Sequence, residues 1–284
     1  MASKPLIRTF LYLTLTGLVI FLLLRFFLEL PVSYRYIEAL FKSPWTILAT
    51  LTYAIAFYLR AVAWRRADAK RAPTAVYLSS LYLGLTINHL SPVKLGEMIR
   101  LVTARAVGSP WKQTSAIFVL QRSIDLIVLC TFILIGWLFH PIVLLVALLA
   151  TALLLVLRRH VPHLPSLVLF GTLAWTVEAL AVFLLLHGAG VDVSFPTTLI
   201  AMSAGVLSGV IQFTPGGLGT YELAMGTVLR QAGVAHAYDV ALMTHFFKYA
   251  FAFLIPLYVL IRHPATLRLL IRQLKYTDWK GGRR

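Results

Sequence analysis

The sequence predicts an all-α polytopic membrane protein, with six full spans and two re-entrant broken-helix hairpins arranged as inverted repeats. Three observations predict it. The 284 residues are 60% hydrophobic and only 13% charged, and apolar runs of about 20 residues, enough to cross ~30 Å of hydrocarbon, recur along the chain. Lys and Arg gather in short stretches between those runs. Two apolar segments are interrupted by one grammar, Ser-Pro or Thr-Pro, then glycine, then glutamate: Asn88-His89-Leu90-Ser91-Pro92-Val93-Lys94-Leu95-Gly96-Glu97 and Phe213-Thr214-Pro215-Gly216-Gly217-Leu218-Gly219-Thr220-Tyr221-Glu222. No stretch is long and polar enough for a separate soluble domain, so residues 1–284 read as one integral membrane domain.

The net charge of +16 would raise nucleic acid as a partner for a soluble protein. Here the basic residues lie mostly between spans, where the positive-inside rule accounts for them, and a basic membrane face favours anionic lipid. No nucleic-acid partner is expected. The single cysteine, Cys130, lies in an apolar run and allows no intramolecular disulfide.

Span 1 is expected over about 10–28, after Lys4 and Arg8; its long apolar run lacks a small-residue cleavage site and reads as a retained span. A loop with balanced charge follows, carrying Glu29, Arg35, Glu38 and Lys42. Span 2 covers about 45–63 and meets Arg60, Arg65, Arg66, Lys70 and Arg71, which places the first loop outside and this cluster in the cytoplasm. The segment 74–106 carries the first motif and returns to a basic side at Arg100, Arg105 and Lys112. A long span from about 113 turns outside at His140-Pro141, and its return, to about 157, ends at Arg158-Arg159. A span over about 166–186 then leads to an outer loop, 188–196. The segment 197–231 carries the second motif, and the last span, about 239–260, returns to a basic tail, 263–284. In that tail Arg268, Arg272 and Lys275 share one helical face, as in an interfacial helix. The layout implies a multi-pass protein of the cytoplasmic (inner) membrane with both termini cytoplasmic.

Charge fixes only the parity of the two motif segments. They read as re-entrant because 74–90 supplies about 25 Å of helix at ~1.5 Å per residue, short of a full crossing. Residues 45–139 and 166–262 form two similar units: span 2 runs inward while its counterpart from Ser166 runs outward, so the units are inverted. Paired interrupted helices in inverted repeats point to a transporter site near the bilayer midplane.

Ser91-Pro92 and Thr214-Pro215 read as helix starts, because Ser or Thr caps free N–H groups and Pro suits the first turn. Such a start inside a membrane favours an anion, above all a phosphate. Gly216, Gly217 and Gly219 permit close approach of backbone to a ligand, whereas Gly96 reads as a helix-packing residue. Arg122 follows Glu97, and Lys248 follows Glu222, at nearly equal spacing. Both cations lie about 14 Å into their spans, where a lone charge costs at least ~2.5–3.5 kcal/mol and needs a partner or a function. Asp125 shares a face with Arg122, and His245 with Lys248. Two readings stand. Either Arg122 pairs with Glu97 or Asp125 and Lys248 pairs with Glu222 as structural ion pairs, or both cations hold a phosphate while the acids tune and release it. Glu178, mid-span, is a proton-coupling carboxylate or an interhelical hydrogen bonder; Glu97 and Glu222 are the other carboxylates placed to exchange a proton. His89 is a loop histidine that titrates near neutral pH or serves as polar filler. Lys94 and Arg100 contact headgroups or reach the basic interface. No metal-ligand cluster and no nucleophile–base constellation is present, so no cofactor, no metal and no catalytic residue is expected.

These residues resemble the membrane domain of the lysylphosphatidylglycerol synthase family, also called the flippase-like domain family. Its pattern is an Asn-x-x-x-Pro-x-x-x-Gly-Glu-x-x-Arg segment, an Arg-x-x-Asp element, then Pro-Gly-Gly-x-Gly-x-x-Glu. Here these are Asn88, Pro92, Gly96, Glu97 and Arg100; Arg122 and Asp125; and Pro215, Gly216, Gly217, Gly219 and Glu222. The similarity covers nearly the whole chain, and three motifs in order at matching spacing make it specific. Gln121 stands where the family often has Glu, and Lys248 where Arg is more usual; a lysine forgoes bidentate phosphate recognition. With no soluble aminoacyl-transferring domain in these residues, the resemblance implies lipid movement rather than lipid synthesis. It suggests a lipid translocase (flippase), not an enzyme, that holds the phosphate of an anionic phospholipid or polyprenyl-phosphate-linked lipid between two opposed re-entrant helices. The rivals are a membrane enzyme acting on lipid-linked phosphate or sugar, and a non-catalytic partner of an envelope-lipid biosynthetic enzyme.

Overall fold

In hydrocarbon every backbone N–H and C=O must be satisfied within the protein, and helices achieve this within one segment. The computed structural model describes residues 30–91, 94–137, 163–210 and 214–262, together with Thr14 and Phe21. Among the described residues all regular structure is helical and there is no strand. The expected first span, the return span ending near 157, the basic tail 263–284 and Pro92 lie outside the described residues.

The α-helices are α1 (Leu30–Lys42), α2 (Trp45–Ala67), α3 (Thr74–Leu90), α4 (Gly96–Ala106), α5 (Trp111–Trp137), α6 (Leu164–Gly188), α7 (Phe195–Ser208), α8 (Thr220–Gln231) and α9 (Ala237–Arg262), with a 3-10 turn at Pro215–Gly217 before α8. α2, α6 and the first 24 residues of α5 are long and apolar enough to cross a membrane. α9 is also long, 26 residues, but carries Asp239, His245 and Lys248 along its length. The two motif segments are each broken into a pair of short helices, α3 with α4 and α7 with α8, as their Pro and Gly residues dictate.

The region between the first two spans, expected as a loop, is helical instead. α1 has no internal glycine or proline beyond Pro31 near its start, and Glu38 and Lys42 pair across one turn at 2.6 Å. Its inner face buries Ser33, whose hydroxyl donates to Asp239 at the start of α9, while Tyr34 and Phe41 are exposed.

The described residues fall into two compact units, interleaved in the chain. Unit 1 draws on Met1–Tyr53, Ile87–Lys94 and Glu178–Ala250, and unit 2 on Ala54–Thr86, Leu95–Val177 and Phe251–Arg284. In unit 1, α8 packs on α7. Gly205 allows the approach: a Cβ there would lie 2.8 Å from the Tyr221 ring. Met202, Met225, Leu229 and Met243 fill the adjoining core.

In unit 2, α3 meets α4 closely, because a Cβ on Gly84 would stand 2.8 Å from the Gly96 carbonyl oxygen. Pro256 within α9 has no N–H for the carbonyl of Ala252; the Thr86 hydroxyl donates to that carbonyl instead, at 2.6 Å. Asp68, buried just after α2, accepts hydrogen bonds from Tyr77 at 2.5 Å and Ser109 at 2.6 Å and so fastens the two loops that flank α3 and α4.

Candidate functional site

Two charged clusters hold most of the residues singled out from the sequence, one in each unit. The cluster of unit 2 begins at α4. Ser91 does not start this helix. Its N–H still bonds the Ile87 carbonyl at 2.9 Å, as the last turn of α3 requires, so Ser91 closes one helix rather than opening the next. α4 begins at Gly96 with Leu95 in the N-cap position and no side-chain cap, and Glu97 sits in its first turn, where a carboxylate suits the helix dipole. Asn88 and His89 end α3 half-buried, and Lys94 is exposed.

One turn beyond Glu97, Arg100 reaches back to it at 3.4 Å and also donates to the Gln121 side-chain carbonyl. Arg122 on α5 joins both acids. Its Nη2 lies 2.8 Å from Glu97 Oε1 and 2.9 Å from Oε2, and its Nη1 lies 2.9 Å from Asp125 Oδ2. Asp125 Oδ1 accepts the indole N–H of Trp175 at 2.8 Å, and the Arg60 guanidinium stacks 4.3 Å above the Trp175 ring. Arg100 and Arg122 thus share Glu97, Arg122 also holds Asp125, and Arg60 reaches the cluster through the Trp175 ring. The Nε atoms of Arg100 and Arg122 are buried without a hydrogen-bond partner among the described residues. The Arg122 side chain is 40% exposed, against 8% for Arg100.

The cluster of unit 1 is built on the second motif. Thr214 does stand in the N-cap position of a 3-10 turn that opens with Pro215, but its hydroxyl caps no N–H; it donates to the Leu218 carbonyl at 2.6 Å and closes the turn over Pro215–Gly217. Gly216, Gly217 and Gly219 have φ of 61°, 80° and 94°, a region that only glycine enters freely, so this run of glycines is required by backbone shape. Gly216 is also pressed against a side chain: a Cβ there would fall 2.4 Å from the Tyr249 hydroxyl, which donates to the Pro215 carbonyl at 2.6 Å.

Gly219 is the N-cap residue of α8, and its N–H donates to Glu222 Oε2 at 2.7 Å. The helix start expected to present free N–H groups is therefore answered by its own glutamate, as in a capping box. The other oxygen of Glu222 meets His245 Nδ1 at 2.6 Å, and Glu222 is fully buried.

Lys248 does not pair with Glu222. It lies 3.1 Å from Glu178, with both side chains nearly sealed at 8% and 5% exposure, and its ammonium sits 4.9 Å from the Tyr221 ring centre. The reason is local: capping of Gly219 orients Glu222 toward His245, one turn before Lys248 on α9. Tyr221 and Tyr249 flank His245 at 4.4 Å and 4.9 Å, and His89 packs edge-on against Tyr249 at 4.6 Å.

Sequence reasoning missed Trp175, Tyr221, Tyr249 and Arg60. Tyr221 and Tyr249 adjoin Glu222 and Lys248 in sequence, so an aromatic beside a membrane-embedded charge was the available signal. Trp175 and Arg60 carry no such mark. Among the described residues no group of three or more His, Cys, Asp and Glu is placed to hold a metal ion.

Helices of this length and apolarity, interrupted by turns that hold buried ion networks, define a polytopic membrane protein. The family model for the lysylphosphatidylglycerol synthase TM region matches residues 13–160 and 155–255, and the chain belongs to that family. No curated protein and no solved structure matches the chain significantly. The family places the protein in lipid handling within the bilayer.

Proposed function

We propose that this protein is a lipid translocase (flippase) of the cytoplasmic membrane, moving an anionic phospholipid or a polyprenyl-phosphate-linked lipid whose headgroup phosphate is taken by the Arg122 cluster. The half-exposed Arg122 guanidinium, held between two carboxylates, carries the reading. Glu97 and Asp125 hold Arg122 at rest, and a phosphate oxygen replaces one of them on the guanidinium; arginine is suited to such an exchange because its planar fork matches carboxylate and phosphate alike. The 40% exposure of Arg122 makes it the accessible cation, whereas Lys248 is closed in by Glu178. The role is that of a carrier rather than an enzyme: the carboxylates of the two clusters are engaged by guanidinium, indole, imidazole, ammonium or backbone N–H, a holding arrangement rather than one poised for proton abstraction.

The same proposal covers the membrane layout. α3, α4, α7 and α8 have 17, 11, 14 and 12 residues, and even the longest gives only about 25 Å of helix, so both broken segments are re-entrant hairpins in a six-span protein with cytoplasmic termini.

The test is native mass spectrometry with lipid identification on protein extracted gently from its own membrane, together with headgroup flipping in liposomes. Wild type is expected to retain a discrete phosphate lipid that Arg122→Gln loses, and flipping is expected to fall with it. Equal retention and unchanged flipping in a folded Arg122→Gln protein sinks the proposal and favours an assembly partner of an envelope-lipid enzyme.

A further inference from the structure

The lipid reading gives no task to the most deeply buried titratable pair among the described residues. Glu222 and His245 face each other at 2.6 Å, with side-chain exposures of 0% and 3%. Lys248 answers Glu178, so the partner that faces Glu222 is an imidazole, which carries a charge only when protonated. A buried carboxylate beside a neutral imidazole leaves one negative charge out of water; adding one proton to the pair removes the imbalance. The pair is also wired to backbone. Glu222 Oε2 holds the Gly219 N–H at 2.7 Å, and Tyr249, packed on His245, holds the Pro215 carbonyl at 2.6 Å. The dyad therefore holds one end of the turn 215–219 directly, and Tyr249, packed on its histidine, holds the other; the three glycines of the turn have positive φ.

We propose that the Glu222–His245 dyad is a proton-binding site whose loading is read by the glycine turn 215–219. In the loaded state imidazolium and carboxylate neutralise each other, and Glu222 keeps Gly219 capped through a charge-assisted bond. Release of one proton from the imidazolium to solvent leaves a neutral imidazole, with its remaining N–H, beside a bare carboxylate. That charge is relieved when Glu222 leaves Gly219 for water, and the turn opens.

The titratable and charged groups facing His245 come from several elements of unit 1. Among the described residues they are Tyr221 and Glu222 on α8, Lys248 and Tyr249 on α9 itself, His89 on α3, and, through Lys248, Glu178 on α6 and Tyr53 on α2. α7 contributes no titratable side chain.

The inference stands apart from the lipid reading, and its test uses no lipid substrate. The full chain in nanodiscs is followed by amide hydrogen exchange from about pH 5 to about pH 8, the range in which histidines change charge, with rates corrected for intrinsic pH dependence. Exchange across 215–219 is expected to rise about tenfold or more in a single step as pH increases, the factor that corresponds to losing a hydrogen bond to a charged group. The step is expected to disappear in His245→Gln and in the near-isosteric Glu222→Gln, and to persist in His89→Gln. Either of the first two variants suffices if the other does not fold. A wild-type turn with flat exchange across the range, or a step that survives in Glu222→Gln or His245→Gln, overturns the proposal. Loss of headgroup flipping in Arg122→Gln with no step in wild type would overturn this inference alone.

Discussion

The clusters of the two units begin from one sequence grammar and use it differently. In unit 2 the motif glutamate, Glu97, reaches outward to Arg122 on another helix, and the cluster keeps a half-exposed guanidinium. In unit 1 the motif glutamate, Glu222, turns back to cap its own helix and meets His245, while the cation of the neighbouring turn is closed by Glu178. The difference lies in the glycines. Gly96 is followed at once by Glu97 and allows helices to approach, whereas the run Gly216, Gly217 and Gly219 winds a left-handed turn that brings a backbone N–H within reach of Glu222. Similar motifs thus yield a half-exposed cluster directed to side chains and a sealed one directed to backbone.

The sharpest way to break this contrast is to remove a counter-charge from each side. Glu178→Gln strands a buried lysine and is expected to cost about 3–5 kcal/mol of stability, measured by unfolding in detergent. Arg122→Gln leaves Glu97 with Arg100 and Asp125 with Trp175, so it is expected to cost less, about 1–3 kcal/mol, while abolishing lipid retention. Similar losses from both would show that the clusters are equally sealed.

Next in size is Gly216→Ala, which forces a positive φ on alanine and a clash with Tyr249. It should lose about 1–3 kcal/mol, and an unchanged melting temperature would mean that the turn is not held as described. Gln121→Glu sharpens the other side: it sets a further carboxylate beside Arg100 and should weaken lipid retention about tenfold through a nearby like charge to the phosphate, at little cost in stability. The smallest effect is Thr86→Val, which removes the hydroxyl serving the Ala252 carbonyl left open by Pro256; a loss of about 0.6 kcal/mol sets the scale of one neutral hydrogen bond inside this fold.

The fold was legible where the signal is local. Apolar runs marked α2, α5 and α6 to within a few residues at most boundaries, and Pro and Gly marked both breaks. α1 was missed because its charges read as a loop, although at helical spacing Glu38 and Lys42 reinforce a helix. The pairs Glu97–Arg100 and Arg122–Asp125 follow from i,i+3 spacing and were within reach of the sequence. The helix start at Ser91 was misplaced, and the one at Thr214 is a short 3-10 turn without a hydroxyl cap, because a hydroxyl beside proline can serve a carbonyl or end a helix as readily as it caps one.

By itself the sequence determined the membrane class, the family, the positions of the two breaks and which residues would carry buried charge, because these depend on composition, hydropathy and spacing within a single helix. Only the tertiary structure decided the partners: Glu178 for Lys248, His245 for Glu222, Trp175 for Asp125 and Gln121 for Arg100. Those pairs join residues 21 to 70 positions apart, and which side chains meet over such separations is set by the rotation and depth of packed helices, quantities that no local spacing encodes.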